Sequence, residues 1–150
     1  MNHFKMMKSF LSNLIRHLAV DINSGQTRVG FVNYGAVVDH ASNLNVYSSL
    51  KTVLKALSSL SYSGGTAHTA GALQYVRTQM LTSAAGDRRD IRNVVVVLTD
   101  GRSDHSGATK VCTMWKLMKK AVKSFLISGT IFNTCFLSWA CCIKYSYTVG

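Results

Sequence analysis

Proline and glutamate are absent from this 150-residue chain, and cysteine does not appear before position 112. All six acidic residues are aspartates, so no glutamate is there to act as a general acid or base. No serine sits in a G-x-S-x-G elbow, and no G-x-x-x-x-G-K-[ST] phosphate loop occurs. Histidine and aspartate are present, but nothing in their order sets them beside a nucleophile, and no enzyme is expected. The four cysteines, Cys112, Cys135, Cys141 and Cys142, come too late to supply a disulfide framework for the main body. Their spacing also lacks the paired C-x-x-C geometry of a zinc site. Residues 1–10 hold no uninterrupted apolar run long enough for a secretory signal peptide.

What is abundant instead is positive charge: 17 Lys and Arg against six Asp, a formal net charge of +11. Such an excess favours polyanions in general, whether nucleic acid, anionic lipid or acidic glycans. The basic residues are scattered along the whole chain, however, and no helix-turn-helix, RNA-recognition aromatic pair or zinc-finger spacing accompanies them. A solvated basic surface is expected, and no nucleic-acid partner. Apolar residues make up 47% and charged residues 15%, the balance of one folded domain with a real core.

Hydrophobic periodicity sets out the elements. Phe4, Met7, Leu11, Leu14, Ile15 and Leu18 recur at helical spacing, with Lys5, Lys8, Ser12 and Arg16 on other faces. Residues 28–34 (Arg-Val-Gly-Phe-Val-Asn-Tyr) read as a largely buried strand, and 36–44 as an edge strand. Leu50, Val53, Leu54, Leu57 and Leu60 mark a second helix, and Ala72, Leu73, Val76 and Met80 a third. Residues 94–98 are five consecutive β-formers, the pattern of a central strand covered on both faces. Alternating strands and helices imply an α/β sheet with right-handed crossovers. In such sheets ligands collect beyond the carboxyl ends of the strands. Two small, polar turns fit that place: Gly64-Gly65-Thr66 and Thr99-Asp100-Gly101-Arg102-Ser103. His68 and His105 lie near them, but one His each is not a ligand set.

Five stretches agree in order and spacing with a known family: 8–14 (Lys-Ser-Phe-Leu-Ser-Asn-Leu), 27–34, 62–66 (Tyr-Ser-Gly-Gly-Thr), 71–73 and 94–103. Together they resemble the A-type domains of von Willebrand factor, matrilins, and the fibril-associated and beaded-filament collagens. The resemblance implies an α/β, Rossmann-like, mostly parallel sheet flanked by helices, used as a binding module in extracellular adhesion proteins. It covers residues 2–109. Residues 1–109 are therefore expected to form a partial domain, truncated at both ends, and 110–150 a divergent basic and apolar tail. The family's first strand, central between those matching 28–34 and 94–98, has no counterpart. Either the flanking strands close up, or the tail supplies a replacement, or the chain folds poorly, since each unpaired buried peptide group costs about 1–3 kcal/mol.

Members of this family carry a metal-ion-dependent adhesion site (MIDAS), built from an Asp-x-Ser-x-Ser loop after the first strand, a Thr on a second loop and an Asp on a third. By position, Thr66 matches that Thr and Asp100 that Asp, whereas the Asp-x-Ser-x-Ser loop has no counterpart. The resemblance thus implies an incomplete site that holds Mg²⁺ or Mn²⁺ weakly, because such ions give up water reluctantly. It also implies an extracellular matrix protein as partner, a collagen for example, bound without help from metal. Extracellular residence is implied by the resemblance alone.

The tail admits more than one reading. Val111, Met114, Met118, Ala121 and Val122 form an apolar stripe opposite Lys116, Lys119, Lys120 and Lys123, which suits a surface helix or a basic membrane-surface helix. Residues 124–143 carry no charge and have the length of a membrane-spanning helix, yet seven of the twenty are Ser, Thr, Asn or Gly. The competing reading makes 122–127 the family's fifth strand. Two alternatives to the adhesion module follow: a membrane-associated degenerate domain anchored by 124–143, and a non-functional fragment.

Overall fold

The computed structural model describes residues 2–18, 22–62, 67–91, 93–99, 122–128 and 138–144. Among them the chain order is α1 (Asn2–Leu18), β1 (Arg28–Tyr34), β2 (Val38–Ser42), α2 (Leu50–Ser59), α3 (Thr69–Tyr75), β3 (Asn93–Thr99), β4 (Val122–Ser128) and β5 (Ser138–Lys144). A π-helical turn, Val76–Met80, continues α3 and closes with Leu81 N–H donating to Val76 O at 2.9 Å. The single third helix expected from Ala72, Leu73, Val76 and Met80 is this composite, and all four side chains are buried.

Alternation along two strands decides the layering. β1 sends Val29 and Phe31 to one face and Val32 and Tyr34 to the other; β3 sends Val96 and Leu98 one way and Val95 and Val97 the other. The first face packs on Phe4, Met7, Leu11 and Ile15 of α1 and on Val53 and Leu57 of α2. The second packs on Ala72, Leu73, Val76 and Met80. Helices therefore cover both faces, and Val95–Leu98 are buried, with Val94 partly so, as an unbroken run of β-formers requires. Ser49 caps α2 by accepting from Thr52 N–H at 3.3 Å. Lys8 clamps α1 to the far end of α2, donating Nζ to Ser58 O at 2.8 Å and Leu60 O at 3.1 Å. A cation suits those last helical carbonyls.

The five strands lie in the order β2-β1-β5-β3-β4. β5 fills the place between β1 and β3 where the family's first strand has no counterpart in this sequence. It pairs antiparallel with both, from Arg28↔Lys144 to Asn33↔Trp139 on one side and from Asn93↔Lys144 to Thr99↔Ser138 on the other. Of the three outcomes open for that gap, replacement from the tail is the one that forms. β1, β3 and β4 run one way, with β2 and β5 reversed.

The segment 124–143, for which a membrane span was the alternative, is described only at its two ends, and positions 129–137 lie outside the described residues. Residues 122–128 and 138–144 are strands of the sheet, and among the described residues no helix is long and apolar enough to cross a membrane. The apolar stripe beginning at Val111 lies outside the described residues up to position 121.

Candidate functional site

Thr66 and Asp100, the two residues matched to metal ligands, both lie outside the described residues, as do Gly64, Gly65, Ser103, Asp104 and His105. The chain on either side of the first turn is described, as is Thr99 just ahead of the second, and these flanks lie at one rim. Ser61, just before the first turn, accepts from Asn33 Nδ2 at 3.2 Å. Just after it, His68 N–H donates to Gly35 O at 2.8 Å, and Thr69 Oγ1 accepts from the buried Tyr34 hydroxyl at 3.4 Å. Asn33 and Tyr34 end β1 and Gly35 follows it, so both flanks of Gly64-Gly65-Thr66 are tied to that strand's carboxyl end.

The second turn leaves from the same level. Asn33 and Leu98 both register with Trp139 of β5, which sets the carboxyl ends of β1 and β3 side by side across one intervening strand. Two inter-strand spacings separate them by about 10 Å. Thr99, immediately before Asp100, registers with Ser138 and Ser128, so these three residues stand level at the strand ends.

Reversal of β5 has a chemical consequence at this rim. A strand parallel to β1 and β3 would deliver its carboxyl end and following loop there; β5 instead arrives with its amino end, Ser138. No aspartate or glutamate follows Asp104 anywhere in the sequence, so the segment leading into β5 brings no carboxylate. Among the described residues no group of three His, Cys, Asp or Glu side chains could hold a metal. Mg²⁺ and Mn²⁺ favour near-octahedral oxygen sets. The resemblance matches one aspartate and one threonine to that set, fewer oxygens than such an ion takes.

Spacing and turn chemistry did not reveal the side chains that fasten the turn flanks, Asn33 and Tyr34. The one available signal was Asn33 itself, a polar residue in an otherwise apolar buried strand, where burial demands a hydrogen-bond partner.

A family model described as "von Willebrand factor type A domain" matches residues 1–130. Integrin alpha-1 of Gallus gallus is 38% identical over 101 residues, 67% of this chain and 35% of the integrin. The collagen alpha-1(XX) chain of Mus musculus is 35% identical over 102 residues, 68% of this chain and 8% of the collagen. Matrilin-1 of Mus musculus is 37% identical over 106 residues, 69% of this chain and 21% of the matrilin. The chain spans about a third or less of the length of these relatives. Among solved structures, proximal thread matrix protein 1 from the mussel byssus shares the fold with a TM-score of 0.71 at 24% identity, over 81% of this chain and 31% of that one. The same protein with a zinc-occupied MIDAS motif matches with a TM-score of 0.71 over 81% of this chain and 32% of that one.

Proposed function

Because the chain belongs to the von Willebrand factor type A domain family, whose relatives here are adhesion and matrix proteins, we propose that it is an adhesion-type module that binds an extracellular matrix protein, such as a collagen, and is not an enzyme. The observation that carries this reading is the convergence of the two turn flanks on one rim: Gly35 bonded to His68 at the end of β1, and Thr99 level with it at the end of β3. Asp100 and Thr66 would then supply a carboxylate and a hydroxyl to the partner. With no further carboxylate brought by β5, Asp100 accepts hydrogen bonds from the partner directly. Mg²⁺ or Mn²⁺ adds little. The cell-surface and matrix character of the relatives supports a location outside the cell.

The test is binding of the full chain to immobilised collagen, with and without EDTA. Wild-type binding is expected to change less than about twofold on chelation, whereas Asp100→Ala weakens it by about tenfold, the scale of one interface anchor. Abolition by EDTA would show a complete metal site and overturn the metal-independent reading. Full binding by Asp100→Ala would remove the rim from the interface.

A further inference from the structure

Helices α1 and α2 pack on the same face of the sheet and hold no acidic residue between them. Five bases stand on them instead: Lys5, Lys8 and Arg16 on α1, Lys51 and Lys55 on α2. Lys5, Arg16, Lys51 and Lys55 are exposed. Lys8 bonds to Ser58 O and Leu60 O at the far end of α2, whereas Arg16 and Lys51 line one cavity at its start. The two helices are therefore antiparallel, and the stripe of Lys8, Ser12 and Arg16, spaced one turn apart, runs along α2. Asp21, which follows α1 in sequence, lies outside the described residues.

The cavity where α1 ends and α2 begins is open, holds about 600 Å³, and is lined by Arg16, Asn23, Ser49, Leu50, Lys51 and Leu54. Both charged residues of that lining are cations. Asn23 Oδ1 accepts from Leu50 N–H and Ser49 Oγ from Thr52 N–H, each at 3.3 Å, so the first turn of α2 is already capped. An anion in the cavity is thus a matter for the Arg16 guanidinium, whose fork matches sulfate-like oxygens, and the Lys51 ammonium. Ser9, Asn13 and Thr52, exposed among the bases, are polar. A bilayer asks instead for an apolar face. The exposed apolar residues of α1, Met6 and Phe10, each stand about 160° around the helix from Lys8, on the flank away from α2.

We infer that the α1–α2 groove docks a sulfated polysaccharide, with one sulfate seated between Arg16 and Lys51. Bases in two rows along a groove, with polar side chains among them, fit an extended polyanion rich in hydroxyls. A matrix setting, which is the part of the proposed function this inference rests on, makes a sulfated glycan the polyanion at hand. The ten residues of α2 put the cavity about 15 Å from the end of that helix that leads to the rim, so the two surfaces can fail independently.

The probe is a heparin oligosaccharide, titrated against the full chain at several salt concentrations. Lys51→Glu is expected to weaken binding about tenfold and to lower the slope of log affinity against log salt by about one. Lys51→Gln gives a smaller loss in the same direction. Arg77 is exposed on the helical layer over the other face of the sheet. Arg77→Glu makes the same change of net charge there and is expected to stay within about twofold of the wild type. Because Arg16 and Lys51 share one sulfate, Arg16→Gln and Lys51→Gln combined lose less than the product of the two single losses, as a double-mutant cycle reads. Asp21→Asn is expected to stay within about twofold; a gain of about tenfold would show that this carboxylate already occupies Arg16, and would overturn the seat. Equal losses in Lys51→Glu and Arg77→Glu would reduce the effect to net charge and overturn the proposal. So would fully desulfated heparin binding as well as heparin, or duplex DNA or anionic vesicles binding more tightly than heparin. Independent losses at Arg16 and Lys51 would likewise remove the shared sulfate. Collagen binding by the Asp100→Ala variant, read separately, bears only on the rim.

Discussion

Arg28 and Arg88 fasten the same two loops in opposite directions, Arg28 reaching Gly86 O and Arg88 reaching Gly25 O and Gln26 O. The exchange locks the start of β1 to the loop that precedes β3. Arg88→Met keeps much of the bulk but removes both donors, leaving carbonyls without their charged partner. It is expected to destabilise the fold by about 1–3 kcal/mol, with the relief of repulsion from Arg28 set against the loss of attraction to Asp87. Arg88→Lys keeps the charge but loses the planar fork that serves two carbonyls at once, and should recover only part of the loss. Urea midpoints at constant m-value measure both. An Arg88→Met midpoint equal to the wild type would mean the clasp contributes nothing.

Thr27 precedes that clasp and is only 1% exposed, yet among the described residues its Oγ1 has no hydrogen-bond partner. A buried hydroxyl gives up water without recompense, and valine has the same branched shape without the oxygen. Thr27→Val is therefore expected to stabilise the chain by about 1 kcal/mol, seen as a higher melting temperature. A lower one would show the hydroxyl to be solvated or bonded in solution.

Two glycines have no room for a side chain. A Cβ on Gly30 in β1 would stand 2.6 Å from Ser42 O and 2.8 Å from Met80 Cε. Gly86, at φ +93°, would place one 2.8 Å from the backbone N of Asn45. Gly30→Ala forces backbone apart inside the sheet and is expected to cost about 1–3 kcal/mol or more by overpacking. Gly86→Ala adds strain at positive φ to a similar clash and pushes away the carbonyl that Arg28 uses. Its loss should be smaller when measured in an Arg28→Met background, as a double-mutant cycle would reveal.

The layered α/β core was legible because its signals are local. Leu11 and Ile15 on α1, Val53 and Leu57 on α2, and the alternating valines of β3 are buried where period and run length place them. β5 was not legible in that way. An uncharged run at 124–143 carries the same composition whether it crosses a membrane or completes a sheet, and the choice rests on partners more than 100 residues away in β1. Strand direction follows from that pairing, and with it the want of carboxylates at the rim. The turns bearing Thr66 and Asp100 stood out by their small polar residues. The bonds that seat one of them, Asn33 to Ser61 and Tyr34 to Thr69, span 28 and 35 residues and leave no trace in spacing. The Arg28 and Arg88 clasp is equally non-local.

β5 is where the fold is most exposed to test, because a central strand has hydrogen-bonded neighbours on both sides. Ala140 registers with Val32 of β1 and Val97 of β3. In such a strand each peptide N–H points to one neighbour or the other, so a proline anywhere along it removes a ladder bond and clashes with the pleat. Ala140→Pro is expected to cost about 3 kcal/mol or more and to strip hydrogen-exchange protection from the amides of β1 and β3 together. Asp39→Pro is the fitting control: β2 is an edge strand, and its register with β1 skips Asp39. Prolines are tolerated at edges and bulges, so this variant should lose far less. Wild-type amides at 139–143 should be among the slowest to exchange. If Ala140→Pro proves no more damaging than Asp39→Pro, the tail strand does not bridge the sheet. β1 and β3 would then have to meet directly, and the rim would have to be rebuilt from that shorter spacing.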